Sequence, residues 1–378
     1  MAGVSAPGYN QWRFWSGVLL VALLAGTGLR ASDTTSDGFA LPQPGHHFEF
    51  PADYGSHPAF RIEWWYITGH LFAGDERRFG FQATFFRLAG SKGAAEASPD
   101  FARNEVYLAH MAVTDIKTGK FFHTERLNRA GWDAHSAVGR LELANGPWSL
   151  AMDSTGIMKL DGSVDAKASF QLSLKPTKPL VVFGDDGVSH KGAEASAASY
   201  YLTFPQLAAE GQLTVGEQGY RVHGEAWMDH EISSSQLGSR QVGWDWTCIQ
   251  FQDSPWQLML YRLRRADGTA DPASKLQWVD PASHAVTSDF EWKVLDWWTS
   301  PRTHGRYPAR IELTSVSPAT RRPVHLILQS LVPDQELSNA LGGGPYWEGA
   351  CRVTNADTGK EIGSAYLELT GYVTALKM

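Results

Sequence analysis

Ile62-Glu63-Trp64-Trp65-Tyr66-Ile67-Thr68-Gly69-His70-Leu71-Phe72 reads as a β-strand, because aromatic and β-branched residues dominate it and nothing recurs at helical spacing. Successive side chains of a strand point to opposite faces. Trp64, Tyr66, Thr68 and His70 therefore share one side, while Glu63, Trp65 and Ile67 share the other. Both faces carry bulk, whereas a strand with one wet face would alternate apolar with polar. This strand is predicted to pack on a core on one side and on a second domain or a ligand on the other. Glu63 stands out, since a carboxylate set among aromatics must be paired, hydrogen-bonded or protonated.

The pattern repeats outward. Gly74-Asp75-Glu76 reads as a turn and Phe79 to Leu88 as the hairpin partner of the first strand. Val106 to Ile116, the turn Lys117-Thr118-Gly119-Lys120 and Phe121-Phe122 form a second strand-turn-strand unit. Cys351 to Thr354, Asp357-Thr358-Gly359 and Ala365 to Thr370 form another near the C-terminus. Crossover helices are missing, so the expected fold is all-β, built of antiparallel barrels or sandwiches. A chain of 378 residues has length for two such domains. The polar run Ser233 to Gln241 breaks the pattern, placing a first domain over 45–238 and a second over 239–378. Gly187 to Ala198 reads as a loop in the first and Ser338 to Pro345 as a loop in the second, and either could gate a pocket.

Fifteen Trp in the chain are more than a core alone asks for; such large, rigid side chains also wall ligand pockets. The formal charge is −7 and argues against a nucleic-acid partner. At the N-terminus Arg13 precedes an apolar run, Phe14 to Leu29, followed by small and then polar residues. This reads as a signal peptide over residues 1–31 and predicts a periplasmic or secreted protein; an uncleaved anchor is the alternative, although the run is short for a spanning helix. Cys248 and Cys351 could form a disulfide in an oxidising compartment or remain as buried thiols.

Several segments carry candidate chemistry. In Gly224-Glu225-Ala226-Trp227-Met228-Asp229-His230-Glu231, alternation puts Trp227, Asp229 and Glu231 on one face and Met228 and His230 on the other. Neighbouring carboxylates repel, so one could have a raised pKa and donate a proton, with His230 sharing the work. Consecutive strand residues cannot all face one ion, and neither a metal nor a cofactor is expected. Gly243-Trp244-Asp245-Trp246 and Tyr346-Trp347-Glu348-Gly349 again set acids among aromatic rings, surroundings that favour neutral acids and stabilise developing cations. There is no G-x-S-x-G elbow, P-loop, helix-opening G-x-G-x-x-G or H-E-x-x-H. A Ser-His-Asp triad is neither supported nor excluded by residue order.

These segments, together with Leu108-Ala109-His110-Met111-Ala112-Val113-Thr114-Asp115 and Tyr366-Leu367-Glu368-Leu369-Thr370-Gly371-Tyr372, resemble the AttH-like, predicted secreted hydrolase branch of the carotenoid 1,2-hydratase superfamily over about residues 45 to 375. The resemblance implies two lipocalin-like β-barrel domains with a ligand site near their junction. The superfamily includes hydratases that add water to a carbon-carbon double bond, phytoalexin hydratases, and cyclases that fold a polyene. All need an apolar pocket containing a placed acid. In the carotenoid hydratases the Asp-His pair is followed by Asn and Trp, and a tyrosine in the next strand is followed two residues later by an acid. Here Glu231-Ile232 follow the pair, and Arg262-Leu263 follow Tyr261.

The expectation is an exported protein that binds a hydrophobic small molecule and acts as a hydratase, isomerase or cyclase. Asp229, His230 and Glu63 are the acid-base candidates. Trp64, Tyr66, His110, Trp227 and Glu231 are the ligand-binding candidates of the first domain. Trp244, Asp245, Trp246, Tyr261, Trp347 and Glu348 are those of the second. One alternative is a non-catalytic carrier of lipid or acyl chains working with an envelope transporter, and another is a secreted hydrolase. A carrier's pocket should pair every carboxylate with Arg; an enzyme's should present an unpaired acid or His.

Overall fold

Alternating bulky residues become strands throughout the computed structural model, which describes residues 33–74, 77–90, 105–131, 133–280, 282, 285–338 and 343–376. Residues 1–31, read as an export signal, lie outside the described residues, as do Asp75 and Glu76 of the first turn. Among the described residues the helical content is a single 3-10 turn, Ala52–Tyr54.

The first sheet begins with β1 (Ile62–Ala73), β2 (Arg78–Leu88), β3 (Val106–Asp115) and β4 (Lys120–Arg129). It continues with β5 (Ala134–Ser136), β6 (Glu142–Asn145), β7 (Trp148–Met152), β8 (Met158–Val164) and β9 (Ala168–Pro176). The short β10 (Val181–Phe183) and β11 (Ser189–His190) precede two long strands, β12 (Ala198–Val215) and β13 (Gln218–Ser235). Their order is β4-β3-β2-β1-β13-β12-β9-β8-β7-β6-β5, with β10 and β11 pairing β12. The hairpin read from sequence forms as expected, with Trp65 opposite Phe85. On its far side β1 pairs β13 antiparallel, Tyr66 facing Asp229 and Trp65 facing His230. The β3–β4 end returns against β6 and β8, so the sheet curls into a nearly closed barrel. Trp65, Ile67, Phe81, Met111, Phe170 and Met228 fill its interior.

The second sheet contains β14 (Gln241–Phe251), β15 (Gln257–Arg265), β16 (Lys275–Val279), β17 (Ala285–Ser288) and β18 (Phe290–Thr299). Then come β19 (Arg306–Val316), β20 (Pro323–Ser330), β21 (Glu336–Leu337), β22 (Tyr346–Asn355) and β23 (Glu361–Leu369). The order β17-β16-β15-β14-β23-β22-β20-β19-β18 leaves both end strands without a closing partner, giving a half-barrel. Its hollow face is packed by Ile249, Leu260, Ile311, Leu328, Trp347 and Val353. The chain passes between sheets over 236–240, where a polar run interrupts both patterns.

The face of β1 that looks away from the barrel interior meets the second sheet. Gly80 on β2 makes part of this approach possible: a Cβ there would stand 2.7 Å from the Cβ of Ala350 on β22. His70 of β1 lies 2.9 Å from the backbone oxygen of Ala365 through Nε2, and Thr114 donates to Gln335 at 2.8 Å. Burial without a countercharge, and the guanidinium of Arg78 alongside, lower the His70 pKa to about 3, so the imidazole spans the interface uncharged.

Candidate functional site

Where the sheets face each other, an aromatic cluster forms from Tyr66, Tyr201, Trp227, Trp246, Tyr261 and Tyr366. Beside it opens a cavity of about 510 Å³ lined by residues of both sheets, within the range of small-molecule sites. The pleat decides which residues reach it. From β1 the cavity receives Ile62, Trp64 and Tyr66, and from β13 it receives Asp229 and Glu231. From β14 and β15 it receives Trp244, Trp246, Tyr261 and Leu263. Neither barrel interior is the cavity; it lies between the outer face of one sheet and the facing surface of the other.

Four carboxyl groups line this apolar space: Asp229, Glu231, Glu348 and Glu368. Asp229 accepts hydrogen bonds from Tyr201 Oη (2.7 Å), Thr203 Oγ1 (2.6 Å) and Trp227 Nε1 (2.7 Å). Those donors favour the anion, yet burial dominates and raises the pKa to about 7. Glu348 takes the Tyr66 hydroxyl on Oε1 at 2.5 Å, while its buried Oε2 has no hydrogen-bond partner. Burial, with Glu368 nearby, lifts the Glu348 carboxyl well above the ordinary range. Glu368 lies opposite Glu348 on the neighbouring strand and accepts from Trp244 Nε1 at 3.0 Å; burial pushes its pKa to about 7.

Glu231 differs from the other three. Its Oε2 lies 3.3 Å from Lys191 Nζ and also accepts from Ser199 Oγ at 2.5 Å and Gln236 Nε2 at 3.2 Å. The Lys191 ammonium sits 4.3 Å from the ring centre of Tyr201 and 4.0 Å from that of Tyr261. His110 also faces the cavity, with Nδ1 2.7 Å from the Tyr346 hydroxyl. Burial lowers its pKa to about 3, so it is a neutral imidazole.

The acid-base candidates chosen from sequence are split by the pleat. Asp229 faces the cavity, whereas Glu63 and His230 sit on the opposite face and do not line it. There Glu63 is fully buried and is bound by Arg87 Nε at 2.9 Å, by the His57 backbone N–H at 2.9 Å, and by His230 Nε2 at 3.2 Å. His57 Nδ1 is 2.7 Å from Glu63, and its Nε2 is 2.9 Å from Asp53. Burial alone would raise the Glu63 pKa, but these partners outweigh it and hold the carboxyl far below the ordinary range. His57, Glu63 and His230 present ligand atoms within 4.8 Å of one another and could hold an ion between them. With Arg87 already neutralising Glu63, the arrangement is complete as a hydrogen-bonded ion network. His230 stacks on Trp65, with ring centres 4.5 Å apart.

Asp245 and Trp347 also stand away from the cavity. Asp245 accepts from Arg262 at 3.1 Å, Arg264 at 2.9 Å and Tyr372 at 2.9 Å. Trp347 packs in the half-barrel and donates to the backbone oxygen of Pro333 at 2.8 Å. Trp227 is buried behind Asp229 as its hydrogen-bond donor. Trp64, Tyr66, His110, Glu231, Trp244, Trp246, Tyr261 and Glu348 do line the cavity.

Among the lining residues with acidic or basic side chains, two escaped the sequence reading. Glu368 had a signal, since a carboxylate alternating with Tyr366 and Thr370 in an otherwise apolar strand must face a buried surface. Lys191 had none, because it comes from the loop expected at 187–198. That loop and Gly343-Gly344 of the second loop both border the cavity; residues 339–342 lie outside the described residues. Cys248 and Cys351 are free buried thiols in clusters on opposite faces of the second sheet, and a disulfide cannot join side chains that point apart.

The family model for AttH-like proteins matches residues 41–372. The crystal structure of an AttH protein from Nitrosomonas europaea superposes with a TM-score of 0.78 at 32% identity, covering 89% of this chain and 100% of that one. Kievitone hydratase from Nectria haematococca gives a TM-score of 0.64 at 12% identity, over 91% of this chain and 97% of that chain. CghA with Sch210972 gives 0.52 at 13% identity, over 89% of this chain and 97% of that chain. The last two likenesses establish the fold alone, and the barrel and half-barrel correspond to the two lipocalin-like units expected from sequence. No curated protein matches the chain by sequence.

Proposed function

This chain belongs to the AttH-like family, and from that premise we propose that it is a hydratase-type enzyme acting on an apolar, unsaturated small molecule in the inter-sheet cavity. One observation carries the reading: Glu348, Glu368 and Asp229 face an apolar cavity with no Arg beside them among the described lining residues. A carrier would be better served by neutralised or apolar walls, whereas protonating an alkene needs carboxyl groups kept neutral at ordinary pH. Kinship in fold to a protein named kievitone hydratase is consistent with this chemistry.

Glu348 is the general acid in this scheme. Its Oε1 is occupied by Tyr66, which leaves the unpartnered Oε2 to carry the proton. Transfer of that proton to one alkene carbon leaves a cation on the other, beside the electron-rich rings of Trp64, Trp244 and Trp246. Water adds to the cation, and its surplus proton passes to the carboxylate form of Glu368. From there it returns across the strand pair to Glu348, so that alkene and water become alcohol with the protein unchanged. Asp229 is fixed at the cavity wall by Tyr201, Thr203 and Trp227. Arg13 and the apolar run after it support an exported enzyme, which fractionation of the host cell would test.

The direct test is incubation with a panel of isoprenoid olefins in H₂¹⁸O, followed by mass spectrometry. The expected product gains one labelled water, and Glu348→Gln slows its formation by about 10²–10⁴-fold. Recovery of unchanged olefin throughout, with retained binding, would favour the carrier.

A further inference from the structure

The cavity's charges are unevenly distributed. Four carboxyl groups line it against a single lysine, with no arginine among the described lining residues. The lysine is already committed: Lys191 lies 3.3 Å from Glu231 and between the faces of Tyr201 and Tyr261. Glu231 is in turn fixed by Ser199 and Gln236 and cannot swing aside without leaving their donors unpaired.

We infer that the cavity is built for an uncharged ligand, and that Glu231 is the specificity-determining residue that keeps Lys191 from capturing an anionic head group. A carboxylate brought into this space must lose its hydration. Asp229 and Glu368 repel it in their ionised forms, and it finds the one ammonium among the described lining residues occupied. A free fatty acid or other apolar acid is thereby rejected, while an ester, ketone, ether or alcohol of the same skeleton is accepted. Neutral carboxyl groups such as Glu348 can donate to the oxygen of such a ligand. The inference rests on the cavity being the ligand site of the proposed enzyme, but not on hydration being the reaction.

Parinaric acid and its methyl ester are suitable probes, since both carry the same fluorescent tetraene and differ in head-group charge. Titrated into the full chain at pH 8, the ester should bind at least ~10-fold more tightly than the acid, a tenfold step being about 1.4 kcal/mol. Glu231→Gln should raise the affinity for the acid relative to that for the ester by at least ~10-fold, because Lys191 is then unpaired. The double substitution Lys191→Met with Glu231→Gln should abolish that gain. Equal binding of acid and ester by the native chain would overturn the inference, as would a Glu231→Gln variant that binds ester but gains nothing for the acid. Failure of both probes to bind would overturn the cavity as ligand site as well. Ester binding with no olefin turned over would remove only the hydratase reading.

Discussion

Tyr66 on β1 donates its hydroxyl to Glu348 on β22 at 2.5 Å, a hydrogen bond spanning 282 positions and tying the two sheets together at the wall of the cavity. Because Oε2 of Glu348 has no partner, Tyr66→Phe would leave the whole carboxyl unsatisfied. The expected cost is about 1–3 kcal/mol, read as a lower urea midpoint with an unchanged slope. Loss of the one donor that favours the anion also moves the Glu348 pKa further up.

Stability should depend on pH through the cavity acids. Asp229 and Glu368 have folded values of about 7 against unfolded values of about 4. Between those values the folded state holds the proton that the unfolded state has released, so their contribution falls as pH rises from about 4 to about 7 and then levels off. Glu368→Gln should remove part of this decline, gaining up to roughly 3 kcal/mol over wild type between pH 4 and pH 7.5. His110 acts in the opposite sense: its folded value of about 3 lies below its unfolded value, so stability is lost as pH falls from about 6.5 toward 3. Urea midpoints at pH 4.5 and 7.5 for Glu368→Gln and wild type would isolate the Glu368 part of this dependence. An identical pH slope in Glu368→Gln would contradict the account.

The two faces of β1 and β13 should respond differently to substitution. Glu63→Gln breaks a fully buried pair with Arg87 and is expected to cost about 3–5 kcal/mol, while leaving the ligand affinity of the folded fraction unchanged. Glu348→Gln should instead spare stability and change turnover. Calorimetry of unfolding alongside probe titration checks both halves; a Glu63→Gln protein that folds normally but loses ligand would reverse the assignment of faces.

Both thiols should resist alkylation in the native state and react after unfolding, because Cys248 and Cys351 are buried and unlinked. Intact mass before and after denaturation reads this directly. A mass two hydrogens short, with no alkylation after unfolding, would indicate a disulfide.

Much of this arrangement was legible in the chain. Hydrophobic periodicity identified the strands, and the period of two correctly grouped Trp227 with Asp229 and Glu231, and Met228 with His230. It could not say which group faced the cavity. That depends on how one sheet lies against the other, through contacts such as Gly80 against Ala350, which no local pattern encodes. Glu63 was correctly read as a carboxylate needing partners. Its partner Arg87 sits directly opposite on the hairpin, a relation that hairpin register could have supplied. Lys191 reaches the cavity from a loop whose path is set by tertiary contacts, so its sequence context carried no trace of the role.

The central claim is that Glu348 is a neutral acid at physiological pH, and isotope-edited infrared difference spectroscopy of wild type against Glu348→Gln tests it most directly. The account predicts the carbonyl stretch of a protonated carboxylic acid at pH 7, present in wild type and missing from the variant. Carboxylate bands assigned to Glu348 at that pH would contradict it.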